Sequence, residues 1–585
     1  MGVHEIGQAK LILNFGYNGA DSHPIIQRQI IRAKQNGANI ICVDPRRIET
    51  ARISDLHLQL KGGTNLALVN ALINVIIEEK LYDEDFVARH TSGFEGMAEV
   101  VKKYTPEFAS KITGVPEKDI VRAARMYAKA ESAMILYGMG VCQFGQAVDV
   151  VKSLANLIML TGNVGKPASG IGPVRGQNNV QGACDMGALP NSLPGYQSLD
   201  WMKITEKFET LWECKMPTKP GLHLSRVPER VLEEPDENKR IHAYYIFGED
   251  PAQSDPDLAE VRETLEKIDF VVVQDIYMNK TAQLADVVLP GTAWGEYDGV
   301  YSSCDRGFQR VRKVVEPVPG VLEDWEIICR ISSAMGYPMR YANSEEIWEE
   351  VLQLCPDFAG ATYDKMEENG SVQWPCRKRS EFDIGTTYLH KGGRFESQDG
   401  RGRFWGAEWR PPYELENEEF PLSFTTVREV GHYSVRTMTG NCRMLASLED
   451  EPGWIQMSLE DCEELGIKEG ELVKVINKRG WCITRCLPTS RVKKGATYMT
   501  YQWWIGACNE LTTGKNLDPY SKTPEYKYCN CRVEKMFDQE WAEKFLLSEY
   551  QELRQKMGIK CVGEQKVLGT KPPESKARKG CWSCE

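Results

Sequence analysis

The sequence predicts an α/β protein: two parallel-sheet units of the dinucleotide-binding type, followed by a small C-terminal β-barrel. Three observations carry that prediction. Two stretches share one strand–helix–strand plan at nearly one spacing, from Gly16 to Asp44 and from Gly248 to Asp275. From about residue 420 the pattern changes to short alternating strands with glycine turns. The length, 585 residues, exceeds what one core supports and suggests about three to five domains.

In the first unit, "LILNFGYN" reads as a buried strand ending at Gly16 and Asn18. "PIIQRQIIRAKQNGA" follows as a helix, with Pro24 in its first turn, Ile26, Ile30 and Ala33 on one face, and Gly37 closing it. "NIICVDPRR" is the next strand and ends at Asp44. Helices over "NLALVNALINVIIEEK" and "PEKDIVRAARMYAKA", a strand "AMILYGMGV" and a helix "VDVVKSLANLIML" complete the unit.

The second unit repeats the plan with "IHAYYIFGEDP", "DPDLAEVRETLEKI" and "DFVVVQD". In parallel sheets, ligands sit at the carboxyl ends of strands, where an acidic residue often takes a ribose hydroxyl. Neither unit carries G-x-G-x-x-G, so the usual nicotinamide fingerprint is missing, and either unit alone reads first as ordinary strand-end turns. Duplication points instead to a site for two nucleotide-like ligands. Later, "LEDCEELGIKEGELVKVINKRGWCITRCLP" reads as helix, turn, strand, hairpin and strand, and "GATYMTYQWW" as another strand.

Composition excludes several classes. With 42% hydrophobic and 26% charged residues the chain is of ordinary globular type. A net charge of −12 argues against nucleic-acid binding, which needs a basic face. No run reaches membrane-spanning length and no signal-type segment opens the chain, so membrane insertion is not expected and the expected location is cytoplasmic. The 18 cysteines read as reduced thiols, most of them buried. Cys529 and Cys531 form C-x-C and Cys581 and Cys584 form C-x-x-C; neither completes a metal set. The terminal pair has two readings, a zinc or redox half-site or solvated thiols.

The segment "PVRGQNNVQGACDMGALPN", residues 173–191, crowds amides around Arg175. It stands among "GMGVCQF", "LTGNVGKP", "GEDP", "ADVVLPGTAWGEYDGV", "DRGFQR", "TVREVGHYSVRTMTGN", "YMTYQWWIGACNELT" and "KTPEYKYC". Over roughly residues 5 to 555 these resemble the catalytic subunit of selenocysteine-containing molybdenum- or tungsten-dependent formate dehydrogenases, in the dimethyl sulfoxide reductase family. The resemblance implies two molybdopterin guanine dinucleotides chelating one Mo or W, and a six-stranded, double-psi-like barrel. It implies that Gly16, Tyr17, Asn18, Asp21, Ser22, Asp44 and Arg46 hold one dinucleotide, and that Gly248, Glu249, Asp250, Gln274, Asp275 and Asp324 hold the other. Met139, Gly140, Gln143, Gln177 and Asn179 would line the pterins, with Arg428, His432, Ser434, Asn509 and Tyr528 closing the site from the barrel. Amides match the donors and acceptors of pterin edges, and Asp44 and Asp275 suit guanine N–H groups or ribose hydroxyls. His432 has a second reading, a hydrogen-bonded structural histidine.

Arg175 is the catalytic candidate. Formate is a small planar carboxylate, and a guanidinium grips such an ion with two parallel hydrogen bonds. The expected domains are residues 1–177 and 178–290 for the dinucleotides, 291–385 as an irregular remnant, 386–545 as the barrel and 546–585 as a tail. The family's four-iron four-sulfur ligands, relay lysine, selenocysteine or cysteine metal ligand and neighbouring histidine have no counterparts after Met1, and no metal ligand is assigned. The expectation is therefore the downstream piece of a longer selenoprotein, inactive by itself. Implied partners are formate or carbon dioxide and iron–sulfur electron-transfer subunits, hydrogenase-linked or NAD(P)-linked. The alternatives are a non-catalytic cofactor carrier or assembly partner and, disfavoured by the Arg175 loop, nitrate reduction.

Overall fold

A computed structural model describes residues 2–446 and 451–558; the Cys581–Cys584 pair lies outside the described residues. The first unit is a five-stranded sheet built from β1 (Leu11–Phe15), β2 (Asn39–Val43), β3 (Leu56–Leu58), β4 (Ala133–Tyr137) and β5 (Gly170–Pro173), in the order β3-β2-β1-β4-β5. Every pairing is parallel. All five residues of β1 and of β4 are buried, as expected for strands covered on both faces. Helix α1 (Pro24–Gln35) packs with Ile26, Ile30 and Ala33 inward. Helix α2 (Asn65–Glu78) is buried from Asn65 to Ile76, which explains its nearly uninterrupted apolar sequence.

From β1 the chain builds outward to β2 and β3 on one side, and to β4 and β5 on the other. The carboxyl ends of β1 and β4 therefore define the switch point where such sheets bind ligands. Two glycines meet there. The Gly140 N–H donates to the Gly16 carbonyl at 3.0 Å, and Gly16 has φ +55°. A Cβ on Gly16 would lie 2.7 Å from the Gly140 carbonyl carbon. Gly16→Ala combines an unfavourable left-handed φ with a backbone clash, so it is expected to destabilise the protein by about 1–3 kcal/mol. Urea unfolding checks this, and an unchanged midpoint would show that the turn relaxes freely.

The second unit is a three-stranded parallel sheet of β6 (Ala243–Phe247), β7 (Phe270–Asp275) and β8 (Val287–Pro290), ordered β8-β7-β6. Between β6 and β7 lie a short helix, Pro251–Ser254, and a longer one, Leu258–Lys267, which buries Leu258, Val261 and Leu265. The barrel closes six strands: β9 (Leu422–Val427), β10 (Trp454–Ser458), β11 (Leu472–Asn477), β12 (Gly480–Thr489), β13 (Ala496–Thr500) and β14 (Cys529–Lys535). Their order is β9-β13-β10-β12-β11-β14; β9–β13 and β10–β12 are parallel and the other pairs antiparallel. Cys529 and Cys531 point into the barrel core with Phe424, Ile455 and Val475, so they pack as small apolar side chains.

Two expectations change. Residues 291–385 are ordered: strands Gly299–Ser302, Gly307–Val311 and Val372–Gln373 form an antiparallel sheet, joined by helices Asp324–Ala334, Ser344–Leu354 and Tyr363–Asn369. An aromatic core holds them, with Phe308 edge-on to both Trp348 and Phe358 at 4.9 Å. Glycines and short elements hid that core from periodicity. The boundary expected between 545 and 546 falls inside a helix, Gln539–Lys556, whose Ala542, Leu546 and Tyr550 are buried.

Candidate functional site

The first cradle follows β1 and β2. Tyr17 is buried and its hydroxyl has no partner. Asn18 donates to Asp21 at 2.6 Å, and its Oδ1 is buried without a donor. Ser22 Oγ donates to the Asn18 carbonyl at 2.6 Å. Asp44, at the end of β2, accepts the Arg46 backbone N–H at 2.9 Å. Arg46 in turn reaches across to the barrel, donating to Gln456 at 3.0 Å. Burial pushes the Asp44 carboxyl up to about 6, with Arg46 opposing. Met139 and Gly140 lie just beyond β4, with Met139 exposed, while the Gln143 carbonyl accepts the Lys527 N–H at 3.2 Å.

The second cradle repeats the chemistry. Gly248 turns with φ +64°, and Glu249 and Asp250 follow. Asp250 Oδ1 accepts from the Thr281 N–H at 2.9 Å and from its hydroxyl at 2.7 Å; Oδ2 is buried and has no donor. Gln274 donates to Asp324 at 2.7 Å and accepts from the Tyr245 hydroxyl. Asp275 accepts from the Tyr277 N–H and from Asn279, each at 3.0 Å. Burial raises Asp275 to about 6, reinforced by Asp250 and Asp324.

The amide-rich loop follows β5. Arg175 is half-buried, with Nη1 3.1 Å from Cys184 Sγ and 3.5 Å from the Val180 carbonyl, while its buried Nε has no partner. Its carbonyl is bonded to His23 Nε2 at 2.9 Å, and His23 Nδ1 meets Ser22 Oγ at 2.9 Å. His23 thereby ties the first cradle to the Arg175 loop; burial holds it down to about 4, hence neutral. Gln177 is exposed on this loop, and Asn179 accepts the Ser302 N–H at 2.9 Å.

The barrel closes the site unevenly. Arg428 comes against the loop: a Cβ on Gly176 would lie 3.6 Å from its Nη1, and its Nη2 is buried without an acceptor. His432 bonds Thr439 through Nδ1 at 3.0 Å and leaves a buried Nε2 unpartnered; burial lowers it to about 4. Both readings of His432 keep support, since one ring nitrogen is a structural anchor and the other is available. Ser434 turns with φ +46°. Asn509 and Tyr528 are engaged elsewhere: Asn509 donates to the Ser254 carbonyl at 2.8 Å and Tyr528 to Glu416 at 2.6 Å.

Sequence reasoning passed over His23 and Lys527. Lys527, inside the quoted "KTPEYKYC", donates to the Thr426 carbonyl at 2.6 Å; burial pushes its ammonium down to about 8, with Arg46 and Arg428 lowering it and Cys508 and Asp44 raising it. Arg46 and Lys527 bear on Asp44 beside Asp21, and Arg46 and Arg428 bear on Lys527, a cluster of cations suited to an anionic ligand. Among the described residues no three His, Cys, Asp or Glu side chains group as a metal site. No helix among them is long and apolar enough to cross a membrane.

Two strand-end cradles, buried polar atoms lacking partners in both, and a cationic rim define a protein that binds a large, polar, anionic cofactor. Comparison with known proteins agrees. Residues 2–334 match the molybdopterin oxidoreductase family and residues 422–530 the molybdopterin dinucleotide binding domain. The chain is 53% identical to formate dehydrogenase H of Escherichia coli over 95% of its own length and 77% of the relative's. It is 43% identical to the F420-dependent formate dehydrogenase subunit alpha of Methanocaldococcus jannaschii, over 91% of this chain and 78% of that one. Among solved structures, acetylene hydratase from Pelobacter acetylenicus shares the fold, with a TM-score of 0.71 at 18% identity over 91% of this chain and 81% of that one. The chain belongs to the molybdopterin oxidoreductase family.

The residues present fit such a cofactor. Asn18 Oδ1 and Asp250 Oδ2 are acceptors lacking donors, and Arg428 Nη2 is a donor lacking an acceptor. Buried groups of this kind are normally satisfied, and the edges of a pterin and the diphosphate of its nucleotide offer what each lacks.

Proposed function

We propose that the protein is the formate- and cofactor-holding part of a catalytic subunit for the reversible oxidation of formate to carbon dioxide, with formate held by Arg175 between two pterin–guanine dinucleotide cradles. The observation that supports this most is the Arg175 guanidinium itself: Nη1 is engaged by Cys184 Sγ and the buried Nε has no partner, on a loop whose backbone is held by His23 and faced by Arg428. Formate presents two oxygens in one plane, matched by the Nε and Nη2 hydrogens. Gripped there, its C–H is fixed in one direction, which removes rotational freedom before reaction. His23, neutral and bonded to the Arg175 carbonyl, holds the loop without adding charge. Arg428 adds a second positive field that favours an anion over neutral carbon dioxide.

In this reading Asp44 and Asp275 anchor the two nucleotides, Tyr17, Asn18, Asp250 and Gln274 meet their polar edges, and Lys527 with Arg46 faces an anionic group. When bound, the bis-dinucleotide molybdenum or tungsten centre supplies a two-electron acceptor. The balance is formate to carbon dioxide, one proton and two electrons, which an iron–sulfur partner subunit would take up. Formate-dependent reduction of a viologen dye, with [13C]carbon dioxide released from [13C]formate by the cofactor-loaded protein, tests the proposal. Dye reduction with another oxyanion couple and none with formate would overturn it.

The raised carboxyls give a pH prediction. With folded values of about 6, Asp44 and Asp275 hold protons that the unfolded chain releases near pH 4. They therefore stabilise the cofactor-free fold below about pH 4, and that contribution is lost as pH rises through 6. Arg46 and Lys527 moderate the shift at Asp44, and Asp250 and Asp324 enlarge it at Asp275. Only the ionised carboxylates accept guanine N–H bonds, so GDP affinity should rise up to about pH 6 and then level off. Titration calorimetry in two buffers of different ionisation heat should show proton release below pH 6. Affinity flat from pH 5 to 7 would exclude these carboxylates as nucleotide anchors.

A further inference from the structure

The short helix that follows Arg175, Val180–Asp185, is fastened unusually well for its six residues. Asp185 is fully buried, and its Oδ1 accepts from Gln181 at 2.7 Å. Its Oδ2 accepts from the Ser302 hydroxyl at 2.7 Å and from the Trp374 indole N–H at 3.1 Å. Its carbonyl takes the Gly195 N–H at 2.7 Å. One bond within the helix and three from elsewhere in the chain, one of them from Ser302 in the strand Gly299–Ser302, thus fix this helix end. Immediately before Asp185 stands Cys184, whose Sγ is 3.1 Å from Arg175 Nη1. A sulfur at that distance is a hydrogen-bond acceptor for the guanidinium.

The consequence is geometric. An arginine offers a carboxylate either its end, through both Nη atoms, or its side, through Nε and Nη2. Here Nη1 is turned toward Cys184 Sγ and the Val180 carbonyl, so the end-on fork is used up. Nε is left buried and unpartnered, which makes the side edge the one presented. We infer that Cys184 is a positioning residue for Arg175: its Sγ, held rigid by the Asp185 anchor, commits Nη1 and turns the Nε–Nη2 edge toward a planar carboxylate. This deepens the formate reading and rests on it.

The test compares Cys184→Ala and Cys184→Ser. Serine replaces the sulfur acceptor by an oxygen acceptor at nearly the same place; alanine removes it. Formate binding is read from [13C]formate line broadening, which needs no turnover, and KM and kcat from dye reduction. C184A is expected to weaken formate binding and raise KM by about tenfold, the size of one lost hydrogen bond to a charged group. Its kcat should fall by less than KM rises, and its molybdenum content should match the wild type. C184S should recover most of the affinity. Formate bound equally by C184A and wild type would overturn the inference while leaving the formate reading intact. So would C184A losing metal and kcat with an unchanged KM, because that pattern marks a purely structural role. A wild-type protein that shows no formate binding would overturn both.

Discussion

Arg175→Gln is expected to lower kcat/KM for formate by about a thousandfold, and Arg175→Lys by about a hundredfold, with cofactor content unchanged in both. The scale follows from what the side chain does. Removing one partner of a desolvated, hydrogen-bonded charge pair costs about 2–5 kcal/mol, and about 1.4 kcal/mol corresponds to a factor of ten. Lysine keeps the charge but not the planar fork, so it recovers attraction without orientation. The two variants should therefore differ mainly in kcat, because orientation acts on the reacting geometry while charge acts on capture. Steady-state dye reduction with molybdenum quantified in each preparation separates a lost substrate grip from a lost cofactor. If R175Q kept a tenth or more of wild-type kcat/KM, Arg175 would not be the residue that holds formate.

The βαβ units were legible because helix and strand periods announce themselves: Ile26, Ile30 and Ala33 face inward as spaced, and β1 is buried throughout as its composition requires. Gly16 was legible as a strand-end turn, but its contact with Gly140 was not, since 124 residues separate them and only sheet order brings the two turns together. The barrel strands were readable one by one, whereas their closure is a property of pairing. For the site, cradle residues and Arg175 came from resemblance, and amide-rich composition said only that something polar is bound. His23 and Cys184 escaped notice because their roles are tertiary. A histidine bonded to a carbonyl 152 positions away leaves no periodic trace, and Cys184 is one of 18 cysteines that look alike in a linear reading. The aromatic core of residues 291–385 was missed because Phe308, Trp348 and Phe358 come from three separate elements.

One buried ion pair stands in the barrel four residues beyond His432. Arg436 and Glu451 are 1% and 2% exposed and bonded to each other, and the guanidinium lies over Trp503 at 4.5 Å and Trp504 at 5.0 Å. The loop before Arg436 hangs on the same pair of rings: the Trp504 indole donates to the Val435 carbonyl at 3.1 Å, and the Gly440 N–H closes onto the Arg436 carbonyl at 2.7 Å. From the second unit, Lys280 donates to the Trp504 carbonyl at 2.7 Å and Gln253 to that of Trp503 at 2.8 Å. Glu451→Gln strands a buried guanidinium beside these contacts and should destabilise the barrel by about 3–5 kcal/mol. Replacing both partners, as in R436M/E451L, removes the stranded charge and should restore most of that stability, yet it also removes the cation from between the two tryptophans. Urea unfolding followed by tryptophan fluorescence tests the energetics through rings that touch the pair directly. Formate KM in the double variant tests the presentation: restored stability with a raised KM means the ion pair sets the position of the Arg428–His432 loop, and a wild-type KM would assign it to stability alone. An E451Q midpoint equal to the wild type would refute the energetic claim outright.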